Sequence, residues 1–155
     1  MNSAVGSFDP SVFLDATMTE GNSTVNTPVP EGEYTAVVDG DPVIRQWTGR
    51  KDPNQTGLAL DIIWSVDDAS VREALGRDKV TVKQGIMLEL NANGGIDTGK
   101  GRNVQLGRLR DAVNLNEPGK PFSFRMLAGQ VAKISVKHRM DGDAVYAEVK
   151  GVARL

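Results

Sequence analysis

Residues 45–51 place one tryptophan among three cationic side chains. An exposed indole gives a nucleobase a flat surface to stack on, and Lys or Arg side chains attract the phosphates that link successive bases. The ring can equally fold back as a lid over the core, and the residue types alone favour neither arrangement. The first arrangement predicts a nucleic-acid site made of Arg45, Trp47, Arg50 and Lys51.

A second group of cations lies along residues 130–140. Lys133, Lys137 and Arg139 alternate there with the apolar residues Ile134 and Val136. Because successive side chains of a strand point to opposite faces, the three cations are predicted to share one side of a sheet. An ordinary solvated face has the same pattern. The alternative is that these residues extend the basic surface around Trp47.

Residues 94–101 match the first seven positions of the phosphate-binding loop G-x-x-x-x-G-K-[ST]. Gly101 stands at the eighth position, where Ser or Thr would hold magnesium. The chain also lacks the alternating strands and helices of a parallel sheet, which argues against nucleotide hydrolysis. We expect instead that free backbone amides beside Lys100 and Arg102 contact nucleic-acid phosphates.

Three further aromatic residues are candidates for either stacking or packing. Phe122 and Phe124 lie two positions apart, on one face of a predicted extended segment, where they could stack on bases; core packing is the favoured interpretation. Trp64 follows Leu60 and Ile62 at the same spacing within an apolar strand. This pattern predicts that Trp64 belongs to the core.

Catalysis has little support in the sequence. The chain contains no cysteine and a single histidine, His138, which excludes thiolate chemistry and histidine-rich metal sites. The acidic pairs at 67–68 and 141–143 suit a helix cap and a turn. We therefore expect no enzymatic activity, no catalytic residues, no metal and no cofactor.

Periodicity predicts five strands and one main helix. The first strand covers 32–46 with a break or bulge at 40–42, and the others cover 57–66, 79–90 (bent at Gly85), 130–140 and 144–153, with loop 47–56 after the first. A short helix is expected at 67–75 and the main one at 103–114, capped by Asn103. A helix between strands three and four of an all-β chain is the order of an OB-fold, a five-stranded Greek-key barrel. The alternative is an open β-sandwich.

The N-terminal part of the chain differs in composition and charge. Residues 1–44 hold seven acidic residues and no Lys or Arg, although the whole 155-residue chain has a net charge of only −2. Residues 1–30 are rich in Asn, Ser, Thr, Gly and Pro and are predicted to be a flexible acidic arm before a domain at 31–155. No signal peptide or membrane-spanning run is evident, so we expect a soluble, cytoplasmic protein without membrane contact.

Three stretches resemble proteins encoded by tailed bacteriophages. They are VPEGEY at 29–34, DTGKGRNVQLGRLR at 97–110, and VKHR at 136–139 followed by YAEVK at 146–150. The resemblance covers roughly residues 28–155. The family is described as OB-fold single-stranded-DNA-binding proteins of the phage replication and recombination module. Many single-strand-binding proteins end in an acidic tail, whereas here the acidic segment is N-terminal.

Together these observations predict a protein that binds single-stranded DNA without sequence preference and supports phage DNA replication or recombination in the host cytoplasm. The arm is expected to compete with DNA for the basic groove or to link subunits of a homo-oligomer. Two alternatives stay open. One is a phage capsid or tail β-barrel protein with an interlocking N-terminal arm, and the other is an inhibitor or adaptor that binds a host protein.

Overall fold

The computed structural model describes residues 8–23 and 27–155. In that part of the chain the helices are α1 (Pro10–Asp15), α2 (Ala69–Leu75) and α3 (Val104–Ala112), with a 3-10 helix at Phe124–Leu127. The strands are β1 (Gly32–Val38), β2 (Val43–Thr48), β3 (Thr56–Val66), β4 (Thr81–Leu88), β5 (Val131–Asp141) and β6 (Ala144–Ala153).

The six strands form one sheet in the order β1-β5-β6-β4-β3-β2, and β1 also pairs with β3. Five strands are therefore bonded in a ring, and β2 extends the sheet beyond that ring along β3. Neighbours are antiparallel except β4 and β6, which are parallel where Lys83 meets Glu148. The predicted β-rich, barrel-like architecture is confirmed, and the ring of pairings argues against an open sandwich.

The interior of the ring follows the alternation of the strands. In β4, Val82, Gln84, Ile86 and Leu88 are buried, while the residues between them are exposed. Trp64 in β3 is fully buried, as predicted, and its indole Nε1 donates a 2.8 Å hydrogen bond to Gln84 Oε1. This bond satisfies the indole of the largest core side chain. Leu106 and Leu109 of α3 add to the same core.

Local signals place several element ends where the sequence predicts them. Asp68 caps α2 by accepting from Val71 N, and Gly76 ends the helix in the left-handed conformation. The first predicted strand is interrupted after Val38, where Gly40 has a φ of 77°. The β5–β6 hairpin turns at Gly142, whose φ is 62°. In each case the residue type itself sets the local geometry.

Other expectations about the elements are wrong. Trp47 belongs to β2 rather than to a loop, because it pairs with Gly57. The ladder runs without a bulge through Gly85, and the bulge lies instead between Ser135 and Val136. The extended segment predicted around Phe124 turns into a 3-10 helix at that residue.

Asn103 precedes α3 but makes no capping bond. Its amide group donates to Glu89 O and Asp97 O, and its Oδ1 accepts from Glu89 N, so the side chain is fully used in holding the β4–α3 loop. These partners lie outside the helix, and sequence spacing does not reveal them.

The acidic segment divides between the arm and the barrel. Only Asp9, Asp15 and Glu20 fall within the predicted arm. The other four acids lie in the folded domain and contact its cations or amides: Asp39 with Lys79 at 2.6 Å, Asp41 with Arg125 at 2.8 Å, Glu33 with Lys133 at 4.0 Å, and Glu31 with the His138 amide at 2.8 Å. Val29 is buried in the core beside them.

Within residues 8–23 and 27–155, no helix is long and apolar enough to cross a membrane. The same residues contain no group of three or more His, Cys, Asp or Glu side chains arranged to hold a metal ion.

Candidate nucleic-acid interface

Strands β2, β3 and β4 present one continuous surface to the outside of the ring. Their register aligns Trp47 with Gly57, then Arg45 with Ala59 and Met87, and then Asp61 with Gly85. Lys83 follows one step further along β4, opposite Ile63. We call the surface formed by these side chains the outer face; its members are Arg45, Trp47, Gly57, Ala59, Asp61, Lys83, Gly85 and Met87.

Trp47 lies against the backbone of Gly57 on the outer face. A Cβ added to Gly57 would come within 2.7 Å of the Trp47 Nε1, so only glycine leaves room for the ring in this position. The indole is half-buried and does not belong to the core cluster. Among the described residues, no group makes a hydrogen bond with its buried Nε1. The structure therefore places Trp47 on the outer face and not as a lid inside the barrel.

Asp61 holds the cations of the outer face in position. It is only 9% exposed and accepts from Arg45 Nε at 2.8 Å, with Lys83 Nζ at 3.5 Å on the same carboxylate oxygen. Burial raises the pKa of Asp61, but the hydrogen bond from Arg45 and the charge of Lys83 outweigh it, so the pKa lies below its ordinary value. The carboxylate stays ionised and fixes both cations. A Cβ at Gly85 would make only an ordinary contact with this carboxylate, 3.5 Å from Asp61 Oδ1, so the position does not require glycine.

Two glycines flank the centre of the outer face. Gly57 and Gly85 carry no side chain, and Ala59 between them is fully buried beneath its neighbours. Met87 is 55% exposed beside Ala59. An unbranched thioether adapts its shape to different apolar surfaces, which suits contact with a nucleobase of any identity.

The β2–β3 loop continues directly from Trp47. Gly49 N donates to Gln55 O at 2.7 Å, and Asp52 accepts from Asn54 N and Gln55 N. These bonds close residues 49–55 into a compact turn. Arg50 and Lys51 are exposed within it, so the turn presents two cations at the Trp47 end of the outer face.

The β5 cations form a second group, and neighbouring carboxylates offset most of its positive charge. Lys133 faces Glu33 at 4.0 Å, whereas Arg139 lies 3.4 Å from Glu148 Oε2 and 5.0 Å from the centre of the Tyr146 ring. Lys137 is the register partner of Glu148. A hydrogen bond from Lys150 lowers the pKa of Glu148, and Arg139 adds to the effect.

Strands β4 and β6 lie between the β5 cations and the cations of the outer face. Along the path through β6, β4 and β3, β5 lies four strand steps from β2, which at roughly 4.8 Å per step puts the groups about 19 Å apart on that path. Lys83 bridges part of this gap, because it contacts Asp61 on one side and pairs in register with Glu148 on the other.

Hydrogen bonds within the glycine-rich loop use many of its amides. The amides of Gly95 and Gly99 donate to Asn91 Oδ1 and Asp97 Oδ1, and those of Asp97 and Asn103 donate to Glu89. Arg102 lies 2.9 Å from Glu89 and 3.6 Å from Asp97. These bonds leave the amides of Gly95, Asp97, Gly99 and Asn103 and the Arg102 guanidinium engaged within the loop. Phosphate contact by the amides beside Lys100 stays a prediction. Lys100 is exposed at the tip of the loop.

Phe122 and Phe124 line a separate cleft between α3 and the 3-10 helix. Both rings are partly buried against the core and meet edge to face at 5.9 Å. The guanidinium of Arg110 lies 4.2 Å above the Phe122 ring. The cleft has a volume of about 370 Å³ and is also lined by Ile96 and Leu106. It lies apart from the residues that the register assembles into the outer face.

Several residues of these surfaces are not among the predicted site residues, and Asp61, Lys83 and Tyr146 make the most important contacts among them. Strand alternation, which predicted the position of Lys133, could also have predicted that of Lys83, because Lys83 alternates with the apolar residues of β4. Asp61 is the sole acidic residue of a mainly apolar strand, which is a signal that could have identified it. Tyr146 carried no signal beyond its residue type, since its contact with Arg139 depends on the hairpin register.

Comparison with known proteins gives no further guide to the site. No family model matches the chain, and no curated protein matches it.

Proposed function

We propose that this protein binds single-stranded DNA across the outer face, without sequence preference and without enzymatic activity. The observation that carries the proposal is the placement of Trp47. Its ring lies flat against Gly57, at the junction of the outer face with the cationic turn that holds Arg50 and Lys51. A stacking ring next to a run of cations is the combination that non-specific single-strand binding requires.

We further propose that the barrel is of the OB type. The strand order, the parallel contact of β4 with β6 and the position of α3 between β4 and β5 all support this assignment. If β1 and β2 are counted as one interrupted strand, five strands remain, as in that fold. OB-folds bind oligonucleotides on the face of their second and third strands, which correspond here to β3 and β4.

Base stacking and electrostatic attraction both contribute to the proposed DNA binding. Trp47 stacks on one base, while Met87 accepts a neighbouring base without reading its edges. Arg45 and Lys83, fixed by Asp61, and the exposed cations of the β2–β3 turn contact the phosphates on either side. Lys137 and Arg139 extend the path along β5. Because the contacts are to base faces and phosphates, affinity depends on salt and hardly on sequence.

The resemblance of three sequence stretches to phage single-strand-binding proteins agrees with this proposal. It suggests a role in the replication or recombination of phage DNA in the host cytoplasm. We propose that role together with the binding activity.

The two tryptophans make the test direct. Trp64 is fully buried and hydrogen-bonded to Gln84, so a base cannot stack on it. Quenching of fluorescence by a dT oligonucleotide therefore reports Trp47. We expect quenching at about 50 mM salt that weakens strongly at about 200 mM. A duplex of the same length should bind more weakly, because its bases are not free to stack.

Trp47→Ala should reduce the affinity for a fluorescently labelled dT oligonucleotide by about 5- to 150-fold, the equivalent of the roughly 1–3 kcal/mol that one stacked base contributes. The matched control is Tyr34→Phe, which changes an aromatic residue away from the outer face. Absence of any anisotropy change with wild-type protein would exclude DNA binding. Binding that Trp47→Ala leaves intact would exclude the outer face as its site.

A structural role in a phage particle is the second candidate. The observation in its favour is α1, whose apolar side chains are exposed in the chain. Such an arm suits a subunit that interlocks with its neighbours. This candidate predicts ordered assemblies of the purified protein and no affinity for the dT oligonucleotide.

A further inference from the structure

We propose that the cleft beside Arg110 is the docking site for helix α1 of a second copy of this chain. The proposal concerns a surface separate from the outer face and does not depend on DNA binding. Both partners of the contact, the apolar acidic segment and the basic aromatic cleft, lie on the same polypeptide.

The first partner is the segment 8–15. Asp9 caps the helix by accepting from Ser11 N, and Pro10 occupies its first position, so the residues favour a helix start here. The helix has six residues and buries none of them. Phe13 is 67% exposed and Leu14 84% exposed, and the rings of Phe8 and Phe13 lie 5.1 Å apart.

A helix this short is not stable on its own in water, because nucleation costs more than a single turn returns. An apolar cluster on such a helix indicates a surface that covers it, and the barrel of the same chain does not. The cluster carries negative charge at Asp9 and Asp15, with Glu20 following. Its partner surface must therefore be apolar and positively charged.

The cleft between α3 and the 3-10 helix has both properties. It is lined by Ile96, Leu106, Phe122 and Phe124, with the Arg110 guanidinium over one ring. Its volume of about 370 Å³ falls in the range of roughly 300–1,000 Å³ that is usual for binding clefts. Among the described residues, no carboxylate lines it, while Asp97 and Asp111 line the neighbouring pocket that shares Arg110.

The cations at the cleft are available to the acids of α1. Arg110 donates through Nε to Leu115 O, and within the described ranges it forms no ion pair with a carboxylate. Arg108 is exposed on the next pocket along the same helix. Docked in the cleft, Phe8 and Phe13 would join the Phe122–Phe124 pair, and Asp9 or Asp15 would face Arg110.

The exposure of α1 favours a second copy as the source of the helix, because residues 8–23 are all exposed and α1 does not occupy the cleft of its own chain. The arm enters the barrel at Val29, where Val29 O contacts His138 Nε2, next to the Gly32 end of β1. The 3-10 helix lies at the other end, where Gly129 N donates to Val38 O. Seven strand residues separate the two ends by roughly 20 Å. The arm therefore joins the barrel at the end away from its own cleft.

The absence of cysteine permits a clean crosslinking test. One variant carries Ser11→Cys in α1, and another, with an affinity tag that changes its mass, carries Thr98→Cys at the cleft. Mixed under oxidising conditions, the full-length proteins should form the hetero-crosslinked pair. A pair made of Ser11→Cys and Asp143→Cys, whose second site lies on the β5–β6 turn, is the control and should give much less product.

The double variant Ser11→Cys/Thr98→Cys distinguishes the source of the helix. Crosslinked dimers and larger species support docking between copies, whereas an internal crosslink in a monomer would overturn the second-copy assignment. Crosslinking no better than the Asp143→Cys control would overturn the cleft itself.

Charge reversal provides an independent readout. Arg110→Glu should shift sedimentation toward monomer, and adding Asp9→Lys and Asp15→Lys to the same chain should restore the larger species. Met140→Ser, which removes an exposed apolar side chain elsewhere, should leave sedimentation unchanged. If the wild type sediments as a monomer at every concentration, the proposal is wrong.

Discussion

The indole of Trp47 lies so close to Gly57 that a Cβ at position 57 would force the ring to move. The two residues are register partners on neighbouring strands, and the glycine leaves the space that the ring occupies. Gly57 thus controls whether Trp47 is presented to a ligand. This relationship can be tested without altering any charged group.

Gly57→Ala should displace the indole while leaving the barrel folded, because position 57 lies on the outer face. Overpacking in a buried site costs about 1–3 kcal/mol, and a surface ring that can swing away should cost less. We expect dT affinity to fall toward that of Trp47→Ala, with a red-shifted fluorescence emission. Gly85→Ala is the matched control, since its Cβ would make only an ordinary 3.5 Å contact with Asp61. Unchanged affinity in Gly57→Ala would show that the position of the indole against residue 57 does not affect DNA binding.

Lys51→Ala should change the salt dependence of binding. Each phosphate neutralised on a single strand contributes about 0.7 to the slope of log affinity against log salt. We expect the slope to decrease by about that amount in Lys51→Ala and to stay constant in Trp47→Ala, which loses stacking only. Arg77→Ala, an exposed cation at the end of α2, serves as the control. Equal slopes for Lys51→Ala and Arg77→Ala would remove the β2–β3 turn from the interface.

Asp61 should make the stability of the protein depend on pH. Its pKa is lower in the folded state, so its contribution is fully present above the ordinary Asp pKa of about 3.9 and is lost as the pH falls through the folded value. Asp61→Asn should reduce stability near pH 7 and flatten the loss between about pH 5 and pH 2. Urea unfolding across that range measures both effects.

Asp143→Asn, an exposed carboxylate in the β5–β6 turn, is the comparison for the pH series. It should unfold like the wild type at every pH. A wild-type pH profile in Asp61→Asn would mean that the carboxylate contributes nothing beyond occupying its site.

The buried Trp64–Gln84 hydrogen bond should show strong coupling. Trp64→Phe leaves Gln84 Oε1 without its donor, and Gln84→Leu leaves the indole Nε1 without its acceptor; each unsatisfied buried group costs about 1–3 kcal/mol. The double variant Trp64→Phe/Gln84→Leu removes both groups and should lose less stability than the sum of the single variants. Urea unfolding followed by circular dichroism measures the cycle. Additive losses would indicate that packing alone sets the effect of Trp64.

Local residue chemistry was enough to predict much of the fold. The alternation in β4, the Asp68 cap and Gly76 end of α2, and the Gly142 turn each depend on residues close together in the chain. The placement of the main helix after the third predicted strand also followed from periodicity. For the same reason Trp64 could be assigned to the core, because its own strand carried the pattern.

The candidate site required the tertiary structure. Arg45 meets Asp61 across 16 residues, Arg102 meets Glu89 across 13, and the His138 amide meets Glu31 across 107. Such contacts decide which predicted cations stay available and which are neutralised. Strand register and loop closure create them, and a shift of one residue would turn each side chain to the opposite face. By itself the sequence determined which residues alternate, cap and turn, because those depend on neighbours in the chain. Only the tertiary structure placed Trp47 on Gly57 and Lys83 between two acids, because strand pairing brings together residues that the sequence keeps apart.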